Sequence, residues 1–386
     1  MSWIMRKRYV KSLEVDFVIN TNTHWEEPPR ARHQFTYALT KKYRVVFIAA
    51  SKVGLPKIDV KNEKNIIIIQ PYFFLSSKIR YRIPVINEIY QIWLFRWVRK
   101  KMNTKGVVNF DFTAYLIYRF FKDVYYYCND NFTSISRKIN VWPVYKYHQF
   151  CERKLIRGAK ICIGTSPIIT KNLVMNNKRS YEIPLGAPDI EEFQIIPRRS
   201  GSLKKIINIG LVGFISLYNT SYELINNILR EINCKIIFIG PVDSGFLEKI
   251  YDRERIITRG VLEGKALLDE VNRFDVAIAP YLGRKIQEGG VPNKLFLYLA
   301  LGKPVVATAL MSIKTMNLQK GLVYLVENKE KFPEIIIKAH YDNTDDLIRE
   351  RVEYAKKNTW NKRIEDFISL IEYKKSINNE TSNSKF

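Results

Sequence analysis

The chain has 386 residues, room for two or three domains, and its 46% apolar content supports an ordinary globular core. Its formal net charge of +25 is uneven: residues 1–200 hold 35 basic and 15 acidic side chains, residues 201–386 hold 28 and 23. Four widely spaced cysteines (Cys128, Cys151, Cys162, Cys234) form no C-x-x-C pair, which argues against a zinc site or a disulfide framework, and no apolar run reaches the roughly 18–20 residues that span a bilayer.

In chain order, the start Met1–Asn20 is basic but lacks an apolar stretch of signal-peptide length, so a soluble or membrane-peripheral protein of a reducing compartment is expected. Short runs rich in β-branched residues then alternate with helix-length segments. In the first half they are Val15–Asn20, Val45–Ala50, Ile66–Gln70, Val107–Asp111, Val124–Cys128, Ile161–Thr165 and Tyr181–Leu185. In the second half they are Ile206–Val212, Lys235–Ile239, Arg255–Thr258, Val276–Ala279, Pro304–Thr308 and Val323–Val326. Continuous apolar character predicts strands buried on both faces, and the alternation predicts βαβ units with parallel sheets. The polar stretch around Pro197–Ser202, with Lys204 and Lys205, reads as a linker between two doubly wound halves, and the Asn- and Ser-rich tail 374–386 as disordered.

Three stretches carry candidate chemistry. The loop after the first run contains His24, Trp25, Arg30, Arg32 and His33; two arginines there suit an anionic group, and the histidines suit proton transfer. The segment Ile89–Lys101 sets Ile89, Trp93 and Trp97 at helical spacing before a cluster of bases, a pattern shared by membrane-interface helices and by core helices with a basic end. In the second half, Gly289 and Gly290 precede Pro292, Asn293 and Lys294, followed by a helix apolar nearly all round as far as Gly302. A buried helix opening at the carboxyl end of the strand that closes on Tyr281 offers free amides and a positive dipole end to a phosphate, with glycines for close approach and Lys294 for charge.

The segment Pro292-Asn293-Lys294-Leu295-Phe296 through Thr308 resembles the donor-binding segment of family 4 glycosyltransferases of the GT-B fold, in the branch of teichuronic-acid and related surface-polysaccharide enzymes. Ile209–Ile215 with its turn at Gly213 and Phe214, the strand end at Gly240 and Pro241, and Asn358-Thr359-Trp360 resemble further landmarks of that family. The resemblance implies an α/β fold of two Rossmann-like domains facing each other across a cleft: residues 1–195 for the acceptor, 205–355 for a nucleotide sugar, and a helix at 356–373 crossing back to the first domain. It implies transfer of a hexosyl unit from a nucleoside-diphosphate sugar to a lipid-linked or polysaccharide acceptor. Retention of configuration, no metal and no cofactor beyond the donor are implied too.

On the donor side it points to Gly213, Phe214, Gly240, Pro241, Tyr281, Glu288, Gly289, Gly290, Asn293 and Lys294, with Arg259 or Arg284 as further cations. On the acceptor side it points to Trp25, Arg30, Arg32 and His33. Asp130, after the run Val124–Cys128, is the expected catalytic or acceptor-orienting carboxylate, with His148 a further candidate. Two departures stand out. Leu297 occupies the place of a glutamate that holds the nucleotide ribose in the family, with Glu288 one residue away from its partner position, and no Arg or Lys directly follows Gly213. The excess of positive charge in the first half favours an anionic membrane surface as partner, placing the protein in the cytoplasm at the inner face of the cell membrane. Nucleic acid is not expected, because the bases are spread over many elements and no binding motif occurs. The alternatives are a non-catalytic partner protein of the same fold and a sugar-nucleotide epimerase.

Overall fold

The computed structural model describes residues 12–194, 196–197, 206–282, 289–316 and 318–383. The chain divides into two compact units, 1–27 with 32–164 and 170–182, and 28–31 with 165–169 and 183–386. The division falls at 182/183, ahead of the polar stretch that reads as a linker.

The first unit is built on β1 (Leu13–Asn20), β2 (Val45–Ile48), β3 (Lys52–Val53), β4 (Lys57–Glu63), β5 (Ile66–Phe73), β6 (Met102–Asn109), β7 (Val124–Cys128), β8 (Ile161–Gly164) and β9 (Ser180–Glu182). They form one sheet in the order β3-β5-β2-β1-β6-β7-β8-β9, with β4 antiparallel to β5. The central strands are parallel, with Phe17 opposite Val45 and Val18 opposite Val107, and are buried on both faces. All seven predicted runs are strands. The two unforeseen ones, β3 and β4, lie beside β5 at the sheet edge, and β4 is largely exposed and charged (KIDVKNE). Lysines along such an edge discourage pairing with another chain; its polarity hid it from a search for apolar runs.

The helix Pro84–Lys101 opens on a proline in its first turn and buries Tyr90, Leu94, Phe95 and Val98. Its Trp93 packs on Phe73 and Tyr90, with ring centroids 6.0 and 5.9 Å away. Trp93 therefore serves the packing of this unit, while the start of the helix at Val85 and Ile89 and its basic end at Arg99 and Lys100 are left to solvent.

The second unit holds β10 (Ile207–Val212), β11 (Cys234–Ile239), β12 (Ile256–Thr258), β13 (Val276–Ala279), β14 (Val305–Thr308) and β15 (Val323–Val326), all parallel, in the order β12-β11-β10-β13-β14-β15. This is the doubly wound order, in which the strand sequence reverses between β10 and β13. One core layer packs Ile225 and Ile228 of the helix Tyr222–Glu231, with Phe332 and Ile336 of the helix Phe332–Tyr341, against Leu211, Phe238, Ile278 and Val306 of the sheet. Arg351, fully buried, donates to the carbonyls of Gly302 and Gly321 and to Asn343, tying the helix Asp345–Lys356 to two turns.

The final helix, Trp360–Asn383, is anchored to the segment 185–192 of the same unit: the Trp360 amide donates to the Ala187 carbonyl at 3.0 Å and the Arg363 guanidinium to that of Leu185 at 3.3 Å. It runs past residue 373, where the composition predicts a disordered tail; once nucleated, a helix adds turns at little cost even through Asn and Ser. Among the described residues no helix is long and apolar enough to cross a membrane, and the four cysteines are buried and free.

Candidate functional site

Ligands of doubly wound sheets bind beyond the carboxyl ends of the strands, where the order reverses. In the second unit that place lies past Val212 of β10 and Ala279 of β13. The chain leaves β10 through Gly213 at φ +124°, a conformation that side chains strongly disfavour, and leaves β11 through Gly240 at φ +122°. The two turns touch. A Cβ on Gly240 would lie 2.4 Å from the Gly213 carbonyl oxygen, and one on Gly213 would lie 3.3 Å from the ammonium of Lys294. The glycines thus let two strand ends and a lysine share one small space. Backbone bonds hold it: the Gly213 amide donates to the Ile239 carbonyl (2.8 Å), that of Ile215 to Pro241 (2.9 Å) and that of Gly240 to Gly260 (2.6 Å).

The helix Asn293–Ala300 supplies the third wall. Pro292 is its cap residue rather than its first helical residue, and Leu295 through Ala300 are all buried. The turn before it is pinned on both carbonyls: Ser166 Oγ donates to Gly289 at 2.8 Å and Ser312 Oγ to Gly290 at 3.0 Å. One turn into the helix, Tyr298 accepts a hydrogen bond from the Val212 amide at 2.8 Å, fixing the helix against the end of β10.

Lys294 is the chemical centre of this arrangement. Its ammonium sits 5.3 Å from the centroid of the Tyr281 ring. Burial pushes its pKa down to about 8, and among the described residues no carboxylate offsets the shift. A half-buried ammonium with no counter-ion among the described residues, at the positive end of a helix dipole, is poised for an anion. Tyr281 is itself held by Thr308, whose hydroxyl donates to its carbonyl at 3.0 Å, and by a bridge to Thr220.

The other donor-side candidates fall differently. Phe214 is exposed, in a loop that Asn219 ties down through the Phe214 carbonyl. Arg259 is committed to Glu270 at 2.8 Å, a carboxylate shared with Arg273, so its charge is already partly answered. Leu297 is buried within the helix, where the family resemblance expects a carboxylate. Glu288 and Arg284 lie outside the described residues. Ser166, Ser312 and Tyr298 were not foreseen. Tyr298 alone had a signal, falling four residues after Lys294 and hence on the same helix face.

In the first unit, Asp130 follows β7. Burial raises its carboxyl to about 6, against the lowering effects of the Asn131 amide, which donates to Oδ1 at 2.8 Å, and of the Arg32 charge. The loop around it is fastened from below. Cys128 Sγ donates to the Asp130 carbonyl at 3.2 Å, and the buried Glu152 carboxylate accepts from Tyr126 at 2.9 Å and from Thr133. Burial raises the Glu152 pKa as well.

Arg32 is thus brought into electrostatic reach of Asp130, whereas Arg30 is exposed. Trp25 packs on Phe47 (4.8 Å), Tyr37 (5.2 Å) and His33 (5.6 Å). His33 is buried against Phe47 with Nε2 on the His24 carbonyl at 3.1 Å, so its ring organises the loop and is poorly placed as a base. His148 is likewise enclosed: its two nitrogens meet Ser136 Oγ at 2.7 Å and the Tyr81 carbonyl at 3.0 Å, and burial lowers its pKa.

With this geometry in place, comparison with known proteins is informative. Residues 213–342, from the glycine turn after β10 to the end of the helix Phe332–Tyr341, match the family "Glycosyl transferases group 1". No curated protein matches the chain by sequence. Solved structures resemble it over nearly its whole length. Sucrose-phosphate synthase from Thermosynechococcus elongatus has a TM-score of 0.70 at 12% identity, over 94% of this chain and 99% of that one. A trehalose-6-phosphate structure from E. coli bound with UDP-2-fluoro glucose has 0.66 at 11%, over 92% and 98%. WaaG, a glycosyltransferase involved in lipopolysaccharide biosynthesis, has 0.65 at 14%, over 91% and 98%. At such identities the likeness establishes the fold, two Rossmann-like domains as in GT-B glycosyltransferases. Residues 213–342 are thus similar to group 1 glycosyltransferases, in a chain that has the GT-B fold.

Proposed function

We propose that the protein moves a hexosyl unit from a nucleoside-diphosphate sugar to a lipid-linked or polysaccharide acceptor, with retention of configuration, in the building of a cell-surface polysaccharide of the teichuronic-acid kind. The observation that carries the donor half is Lys294: an ammonium without a counter-ion among the described residues, beside a glycine turn and a helix start at the switch point of the second sheet. A departing diphosphate gains negative charge as the glycosidic bond breaks. Donors fixed before the reaction stabilise that charge without reorganisation, which is where most of the barrier reduction is to be found. Lys294 and the positive end of the helix dipole supply the positive charge, so the reading needs neither a metal nor a cofactor. Tyr281 and Gly213 shape the space around it.

On the acceptor side, Asp130 is assigned to orient and deprotonate the incoming hydroxyl; a carboxylate raised to about 6 is closer in basicity to this task than an ordinary one. Arg32 is assigned to hold it in place and to meet an anionic acceptor, with Arg30 and Trp25 at the same loop. The surface-polysaccharide setting is supported by the resemblance of the segment 292–308 and by the likeness to WaaG. A position at an anionic membrane face of the cytoplasm is supported by the basic excess of residues 1–200.

The test is binding and slow hydrolysis of a panel of UDP-, GDP- and dTDP-sugars by the purified protein. Binding of one nucleotide class is expected, and binding of none refutes the reading. A second reading, a non-catalytic protein of the same fold, is favoured by Leu297, which leaves the ribose without the family's carboxylate; donor binding with neither hydrolysis nor transfer to any acceptor would select it.

A further inference from the structure

The strongest surface feature outside the two candidate sites is an elbow in the first unit, where the helix Phe132–Ile139 turns into the helix Trp142–Gly158. Three large apolar side chains stand out there: Ile139 is 49% exposed, Val141 69% and Trp142 69%. A folded protein gains nothing from leaving a tryptophan and two β-branched residues in water at one turn, and such clusters mark contact surfaces. The rest of the elbow is basic. Arg137, Lys138 and Lys146 are exposed, and the Lys146 ammonium lies 5.5 Å from the Trp142 ring centroid.

A second segment continues the surface. The His148 ring meets the Tyr81 carbonyl at 3.0 Å and the Tyr147 hydroxyl donates to that of Pro84, so the segment Ser77–Ile89 packs beside the Trp142–Gly158 helix. It exposes Ile79, Val85 and Ile89 together with Lys78 and Arg82. Only two acidic residues occur across 77–89 and 137–154, and both are engaged by tyrosine hydroxyls: Glu88 by Tyr115 at 2.5 Å and Glu152 by Tyr126 at 2.9 Å. The exposed charges of these two segments are therefore all positive.

From this we infer that the elbow Arg137–Lys146 docks on an anionic lipid bilayer, with Ile139, Val141 and Trp142 entering the headgroup region and Lys138 and Lys146 meeting lipid phosphates. The inference rests on the membrane position proposed above and gives it an address, which is the elbow and not the tryptophans of the helix Pro84–Lys101. Charge complementarity selects the occupant. A protein surface complementary to this patch would have to combine an apolar pocket with a dense array of acids, whereas an anionic bilayer presents both at once and favours each nearby Lys or Arg.

The experiment is flotation of the full chain with vesicles of neutral lipid, or of neutral lipid with about 30% phosphatidylglycerol, at low and high salt. The wild type should float with the anionic vesicles at low salt. Val141→Ser with Trp142→Ser, and separately Lys138→Glu with Lys146→Glu, should each weaken binding at least about tenfold while melting like the wild type. Acyl chains carrying bromine should quench Trp142 fluorescence, and Trp142→Phe should remove that component. If the wild type never floats, the membrane position and the inference fall together. If the wild type floats and both double variants float equally well, the inference alone falls. It also falls if the serine variant changes the sedimentation of the free protein from dimer to monomer and leaves flotation intact, because the elbow would then be an interface between copies.

Discussion

Replacing Lys294 by methionine removes the ammonium and keeps the length and packing of the stem. A lysine held at a pKa of about 8 rather than 10.5 is charged at a cost. The folded-state pKa lies below the unfolded one, so the penalty is complete below pH 8, declines between pH 8 and 10.5, and vanishes above. At 1.36 kcal/mol per pKa unit it amounts to about 3 kcal/mol at pH 7. Lys294→Met should therefore raise the melting temperature of the free protein at pH 7, and the gain should shrink by pH 10.

Donor binding should move the other way. Loss of a hydrogen bond to a charged group costs about 1.5–3 kcal/mol, so nucleoside-diphosphate affinity, read by calorimetry, should fall about 10- to 150-fold. In the wild type a bound diphosphate stabilises the ammonium. Binding at pH 8 should then take up protons, seen as a dependence on the ionisation heat of the buffer, and affinity should decline as pH rises through 8. A purely structural lysine would give destabilisation and unchanged affinity. A lower melting temperature for Lys294→Met, or donor affinity within twofold of wild type, refutes the reasoning.

Asp130→Asn should lower transfer at least about a hundredfold and leave donor affinity unchanged. In the wild type, the acid limb of the kcat/KM profile should rise through about pH 6. Since its folded pKa is raised, the charged Asp130 destabilises the fold fully above pH 6 and not at all below its ordinary pKa near 4; the asparagine variant should melt higher at pH 8 and like the wild type at pH 3. Gly213→Ala forces a side chain to φ +124° and brings its Cβ to 3.3 Å from the Lys294 ammonium, so about 1–3 kcal/mol of stability should be lost in denaturant titrations together with donor affinity. Ser312→Ala frees the Gly290 carbonyl and should raise the donor KM several-fold while costing about 1 kcal/mol or less of stability; an unchanged KM would show that the pinned turn does not matter to the donor.

The thirteen apolar runs became strands, and burial on both faces leaves a signature that needs no knowledge of neighbours, as in Val276–Ala279 and Val305–Thr308. The edge strand Lys57–Glu63 had no such signature: its backbone bonds come from β5 and its side chains face water. At the site, the glycines and Lys294 were legible because a Gly turn, a helix start and a lysine in its first turn are local features. Their common space was not, since it requires β10, β11 and the helix Asn293–Ala300 to arrive from separate parts of the chain.

The histidines show the reverse case. His33 and His148 are chemically suited to proton transfer in any sequence, but aromatic neighbours and backbone carbonyls from other elements occupy both, which only their packing reveals. By itself, then, the sequence determined the two doubly wound sheets and the phosphate-suited turn, because strand burial, helix start and glycine freedom are properties of neighbouring residues. The tertiary structure decided which charges remain unanswered. It left Lys294 without a carboxylate among the described residues, paired Arg259 with Glu270, enclosed Glu152 and opened Trp142 to solvent, because pairing and exposure depend on what distant segments bring alongside.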